Sequence, residues 1–148
     1  MSRYLICCIF LCFLFGCSQK KALLFKNIPG TESGITFNNQ IIESEKLNII
    51  NYQYLYNGGG VGIGDFNNDS LPDIYFTSSI KDNKLYLNRG NFKFEDVTIQ
   101  AGVTGEKKWS RGATVVDINN DGLLDIYVCA AAWQNADLKK DMLYVTRV

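Results

Sequence analysis

Asp65-Phe66-Asn67-Asn68-Asp69-Ser70-Leu71-Pro72-Asp73-Ile74-Tyr75 decides how this chain folds, because it returns as Asp117-Ile118-Asn119-Asn120-Asp121-Gly122-Leu123-Leu124-Asp125-Ile126-Tyr127. The offset is 52 residues, and over 61–76 against 113–128 half of the 16 positions are identical. Further on, Leu85-Tyr86-Leu87 is echoed by Leu143-Tyr144-Val145 after a small insertion. A third echo runs backwards: Phe94-Glu95-Asp96-Val97 and Ala101-Gly102-Val103-Thr104 match Phe25-Lys26-Asn27-Ile28 and Ser33-Gly34-Ile35-Thr36. The chain reads as one module begun twice, and periods of this length signal stacked or radial repeats.

Within a module the reading is β. Residues 60–66 and 113–118 are short, β-branched or glycine-containing runs that lead into a polar loop, and 74–77 and 126–128 leave it as apolar strands. Residues 85–87 and 92–97 supply further strands, so a unit has about four strands joined by hairpins. No long stretch shows helical periodicity. Residues 43–50 fit a short helix or an inserted loop, and Tyr52, Tyr54 and Tyr56 alternate as on a strand face, where packing is the expected role.

Both loops spell Asp-x-Asn-x-Asp-x-Leu-x-Asp. Three carboxylates within nine residues, with no Lys or Arg among them, repel one another unless a cation sits between them. Calcium suits such a loop, since it takes 6–8 oxygens from carboxylates, amides, backbone carbonyls and water. Asp65, Asn67, Asp69 and Asp73 would bind through side chains and Leu71 through its carbonyl; Asp117, Asn119, Asp121, Leu123 and Asp125 repeat the set. Zinc is disfavoured, because neither loop contains sulfur or imidazole. An EF-hand is excluded, because the position that needs its bidentate Glu holds Phe76 or Val128, inside an expected strand. Gly122 permits the positive-φ turn such loops often require, whereas Ser70 stands there in the first loop and makes it the weaker site. The competing reading is a pair of Asx-rich hairpin turns that bind nothing.

Composition narrows the chemistry further. The 148 residues carry 15 basic and 15 acidic side chains and no histidine. Charge balance argues against the basic face that nucleic-acid binding needs. Without imidazole there is no Ser-His-Asp or Cys-His catalysis and no HExxH zinc site. The glycine run from Gly58 to Gly64 does not match GxGxxG, and no GK[ST] ends a phosphate loop.

The N-terminus reads as an address. Arg3 precedes an apolar run from Tyr4 to Phe15 that is too short to span a bilayer, which takes about 20 helical residues, and that fits the core of a secretory signal. It ends Leu14-Phe15-Gly16-Cys17, which resembles a bacterial lipobox, so the expected organisation is a signal peptide over 1–16, lipidation at Cys17, a tether over 17–24 and repeats over 25–148. Ser18-Gln19-Lys20-Lys21 lacks the acidic residue that typically retains lipoproteins in the inner membrane, which favours an outer-membrane lipoprotein of the cell envelope, side open. Cys7, Cys8, Cys12 and Cys17 fall in or at the signal, which leaves Cys129 as a free thiol and the mature chain without an internal disulfide.

The repeated residues resemble FG-GAP/VCBS-type repeats of integrin-α-like β-propellers, and are similar above all to the ASPIC/UnbV-associated, cartilage-acidic-protein-like kind. The likeness is carried by Gly60-Val61-Gly62-Ile63-Gly64-Asp65 through Tyr75, then Leu85-Tyr86-Leu87-Asn88-Arg89-Gly90, then Phe94 to Gly102. It implies an all-β chain forming a partial β-propeller: about two four-stranded antiparallel blades, the second incomplete, with Ca2+ in the hairpin loop between the first two strands of each. Propellers have 4–8 blades, so remaining blades or another chain would be needed to close the ring. A truncated frame or fragment is the expected explanation, and a self-associating module the other.

The function expected is a calcium-binding, membrane-anchored module for protein or glycan interaction or adhesion, without catalysis of its own. The alternative is a truncated part of a carbohydrate-active or other propeller enzyme, or a non-functional fragment. Outside the loops Glu95, Asp96 and Glu106 form no constellation with a nucleophile or base, and Asp96 recurs as Asn27, as a structural residue would. Trp109 and Trp133 could line a glycan platform, but packing is the expected role.

Overall fold

The short β-branched and aromatic runs on either side of each acidic loop pair as hairpins. The computed structural model describes residues 23–131 and 140–147. The signal-like segment, Cys17 and Trp133 lie outside the described residues. A first sheet is formed by β1 (Val61–Gly64), β2 (Asp73–Phe76), β3 (Lys84–Asn88) and β4 (Phe94–Asp96), antiparallel and in chain order. A second is formed by β5 (Ser110–Val116), β6 (Asp125–Ala130) and β7 (Met142–Tyr144). The repeat carries its register with it: Val61 faces Phe76 and Ile63 faces Ile74 in the first sheet, and Ala113 faces Val128 and Val115 faces Ile126 in the second. Four strands followed by three make the partial all-β propeller that the repeat implied.

The core lies between the sheets. Tyr75 and Leu85 of the first meet Ile126, Val128 and Met142 of the second, with Val103 from the connection between them. Tyr75 is fully buried; its hydroxyl donates to the Val103 carbonyl at 2.9 Å and accepts from Asn83 Nδ2 at 2.8 Å. Burial pushes this phenol well above its ordinary pKa, so it stays a neutral donor. Gly62 and Gly64 permit the close approach of β1 to β5, since a Cβ on either would lie 2.9 Å from a Val115 methyl. The opposite faces of the pair are open: Val61 and Ile63 on β1, and Val116 and Leu143 on the second sheet, are exposed.

Of the two readings of residues 43–50 the loop holds: they form bends and a turn, without a helix. Two expectations are corrected. Tyr52 lies between two turns and Tyr54 and Tyr56 lie in the second, so the three share no strand face. Arg111 imposes that path by donating to the carbonyls of Tyr54 (2.5 Å) and Gly58 (3.1 Å) and lying 5.0 Å from the Trp109 ring. Tyr52 packs edge-on against Trp109 at 4.9 Å, and Trp109 is buried, so packing is the role of both. The backward echo is structural only in part. Two one-turn helices, α1 (Gly30–Ser33) and α2 (Thr98–Ala101), each end in a left-handed glycine, Gly34 and Gly102, but 25–28 is not a strand as Phe94–Asp96 is.

Candidate functional site: the paired acidic loops

The two loops are built bond for bond alike. Asp65 accepts the amides of Asp69 (3.1 Å) and Ser70 (2.7 Å), one on each carboxylate oxygen; Asp117 accepts those of Asp121 (3.1 Å) and Gly122 (2.9 Å). Asn67 Oδ1 also accepts from the Asp69 amide, and its Nδ2 donates to Asp69 Oδ2 at 2.8 Å. Asn119 does the same with Asp121, at 2.7 Å. The Asp69 and Asp121 carboxylates then accept the Leu71 and Leu123 amides, each at 2.9 Å. These are nested Asx turns, in which each side chain holds a backbone N–H two to five residues on.

The ninth position is different. Asp73 and Asp125 are fully buried, and each clamps three segments together. Asp73 accepts the Phe66 amide at 2.9 Å and the Asn88 amide of β3 at 2.8 Å; Asp125 accepts the Ile118 amide at 3.0 Å and the Thr146 amide at 2.9 Å. Burial pushes the Asp73 carboxyl up from its ordinary pKa, against the pull of the two amides, and the Asp69 and Asp65 carboxylates push the same way as burial. Asn88 and Thr146 are partners the sequence reading missed. Asn88 also donates through Nδ2 to the Pro72 carbonyl at 3.1 Å, and its place in Leu85-Tyr86-Leu87-Asn88-Arg89-Gly90 was the available signal.

All ten expected ligand positions thus fall in two loops of one shape. Among the described residues, however, no group of three or more Asp, Glu, Cys or His converges as a metal cage. The donor chemistry still fits a hard cation. Every side-chain donor is an oxygen, each carboxylate oxygen that accepts one amide keeps a second lone pair, and the loop hydrogen bonds do not use the Leu71 or Leu123 carbonyl.

Backbone strain separates the two loops. Gly122 has φ 84° and Ser70, its counterpart, has φ 68°; Asn68 and Asn120 are also left-handed, at 57° and 60°. Asn is tolerated in this region, but Ser70 carries a Cβ where glycine costs nothing.

Several acidic side chains outside the loops serve the frame. Asp96 accepts the amide of Thr98 at 3.0 Å at the start of α2 and pairs with Lys84 at 2.7 Å. Arg89 pairs with Glu95 and Lys108 with Glu106. Cys129 is a free, exposed thiol.

Residues 65–128 match the family model described as FG-GAP-like repeat. Cartilage acidic protein 1 from Homo sapiens is 38% identical over 72 residues, covering 48% of this chain and 11% of that protein. Its counterpart from Mus musculus is 36% identical over 69 residues, and that from Xenopus tropicalis 33% over 72. The aligned part spans about a tenth of these relatives' length, 11% in each.

Proposed function

We propose that this FG-GAP-like repeat protein is a calcium-binding, non-catalytic interaction module, exported and lipid-anchored in the cell envelope, that engages a protein or glycan. One observation carries the metal reading: an all-oxygen set of three carboxylates, an amide and a carbonyl occurs twice, on loops with the same hydrogen bonds. A bound calcium ion would supply positive charge where Asp65, Asp69 and Asp73, and again Asp117, Asp121 and Asp125, gather negative charge. Asp73 and Asp125 would then tie that charge to the neighbouring strand through Asn88 and Thr146. The interaction role and the lack of catalysis are supported by the likeness to the repeat family and to cartilage acidic protein 1. Export and the anchor rest on Arg3, the apolar run and Cys17.

The test is a thermal melt of the protein with millimolar calcium and with chelator, comparing wild type and Asp121→Ala. A site filled to a hundred times its Kd adds about 2.7 kcal/mol. The reading expects a calcium-dependent rise in midpoint that Asp121→Ala largely removes. A cooperative melt indifferent to calcium refutes the metal site, and glycoside hydrolysis that survives loss of both loops would move the protein to the enzyme class.

A further inference from the structure

Hairpin topology places both acidic loops at one end of the sheets and the β2–β3 and β4–β5 connections at the other. At this second end a buried polar frame pins the chain. Asn83 accepts the Ser78 amide at 2.8 Å and donates to the Ser110 hydroxyl at 3.2 Å, and its own amide donates to the Thr104 carbonyl at 2.8 Å. Asn39, from the segment before the first sheet, accepts the Ser79 amide at 3.0 Å and the Ser78 hydroxyl at 3.2 Å. Against this frame opens a cavity of about 560 Å³, within the size range of small-ligand sites, whose walls include Phe37, Asn38, Lys81, Asp82, Lys84 and Lys107.

Three features of the cavity point to one ligand chemistry. The lining carries three lysines and one aspartate. Lys84 is held by Asp96, whereas Lys81 and Lys107 make no ion pair among the described residues. Lys107 stands on a strained turn: Gly105, Glu106 and Lys107 have φ of 79°, 50° and 56°, and the last two are not glycine. Such strain persists where the surroundings impose it, and it clusters at ligand sites. Lastly, Phe37 is fixed by stacking on Phe76 at 4.9 Å, which gives the cavity a rigid apolar wall, and the exposed Asn38 side chain makes no hydrogen bond among the described residues.

We propose that this cavity binds an acidic saccharide of the uronate class. Its carboxylate is taken by Lys81 and Lys107, its hydroxyls by Asn38 and Asp82, and its C–H face by Phe37. A free phosphate or sulfate would leave most of the volume and the aromatic wall unused. The assignment deepens the interaction reading by naming its ligand, and it is independent of calcium because the cavity shares no residue with the acidic loops.

Isothermal titration of the full chain, in calcium, with tetragalacturonate, with the neutral galactose tetramer and with a glutamate-rich peptide tests it. The expected result is saturable uronate binding that weakens with salt, at least about tenfold weaker binding of the neutral sugar, and a loss of about tenfold or more in the Lys81→Gln/Lys107→Gln double variant. That variant should keep the wild-type melt and calcium response, because both side chains are exposed and make no ion pair among the described residues. Equal binding of the neutral sugar, indifference to the double variant, or no saturable binding overturns the proposal, and tighter binding of the peptide reassigns the cavity to an acidic peptide. Uronate binding that persists in a protein with no calcium response would sink the metal reading and leave this one standing.

Discussion

The two acidic loops form a natural experiment in backbone strain, because they share the hydrogen bonds of their first seven positions and differ at the sixth, while their other differences, Phe66/Ile118 and Pro72/Leu124, leave those bonds in place. Ser70 holds φ 68° and Gly122 holds φ 84°, and a Cβ added to Gly122 would meet nothing within 4 Å. Steric crowding from neighbours is therefore absent, and only the backbone penalty remains. A left-handed conformation costs a residue with a Cβ about 1–2 kcal/mol. Glycine avoids that cost but gives the unfolded chain more freedom, worth about 0.4–1 kcal/mol against it. Ser70→Gly should therefore stabilise the protein by about 0.5–1 kcal/mol, and Gly122→Ala should destabilise it by a similar amount. Equilibrium urea unfolding measures both, with the slope m expected to stay at its wild-type value while the midpoints move in opposite directions. If Ser70→Gly lowers the midpoint, or Gly122→Ala leaves it unmoved, the equivalence of the loops is wrong. Then the Ser70 hydroxyl or a different loop path carries the first turn.

Other consequences follow from the packing and the charges. Gly64→Ala would set a Cβ 2.9 Å from Val115 Cγ1 and Leu124 Cδ1, so overpacking of about 1–3 kcal/mol is expected in denaturant unfolding, and Val115→Ala in the same chain should recover part of it. Tyr75→Phe leaves the Val103 carbonyl and Asn83 Nδ2 short of a partner in the core, a loss of about 1–3 kcal/mol in the same assay; an unchanged midpoint would show that Asn83 finds another acceptor. The Asp96 carboxyl is raised by its burial but pulled down further by Lys84 and Thr98, and its net pKa lies below the ordinary 3.8. Its folded-state pKa being depressed, its contribution is complete above the unfolded value and is lost as pH falls through the folded one. The stability gap between wild type and Asp96→Asn should therefore hold from about pH 7 to pH 5 and close below about pH 4; a gap that widens in acid would contradict the Lys84 pairing.

Local spacing was enough for much of this protein. Asp, Asn and Asp at alternate positions reach backbone amides only a few residues away, so the loop shape follows from the nine residues themselves, and its recurrence at a constant offset carries the strand register with it. Strand edges were legible to within a few residues; β5 begins at Ser110, ahead of the expected 113, because Ser110 pairs with Ala130 across a register shift. The tyrosines at 52, 54 and 56 alternate as a strand would, and nothing within the segment distinguishes that from turns.

The repeat, the antiparallel hairpins and the two oxygen-rich loops are written locally, since each depends on groups within a few residues or on a pattern repeated along the chain. The remaining features come from contacts between distant segments. Arg111 bends the tyrosine segment from more than fifty residues away, Gly62 and Gly64 matter because Val115 lies against them, and Asp73 and Asp125 become clamps through Asn88 and Thr146. The cavity walled by Phe37, Lys81 and Lys107 likewise joins three separate stretches. Such contacts form when distant segments share a buried interface, where an unpaired amide or an extra methyl costs stability that no local pattern registers.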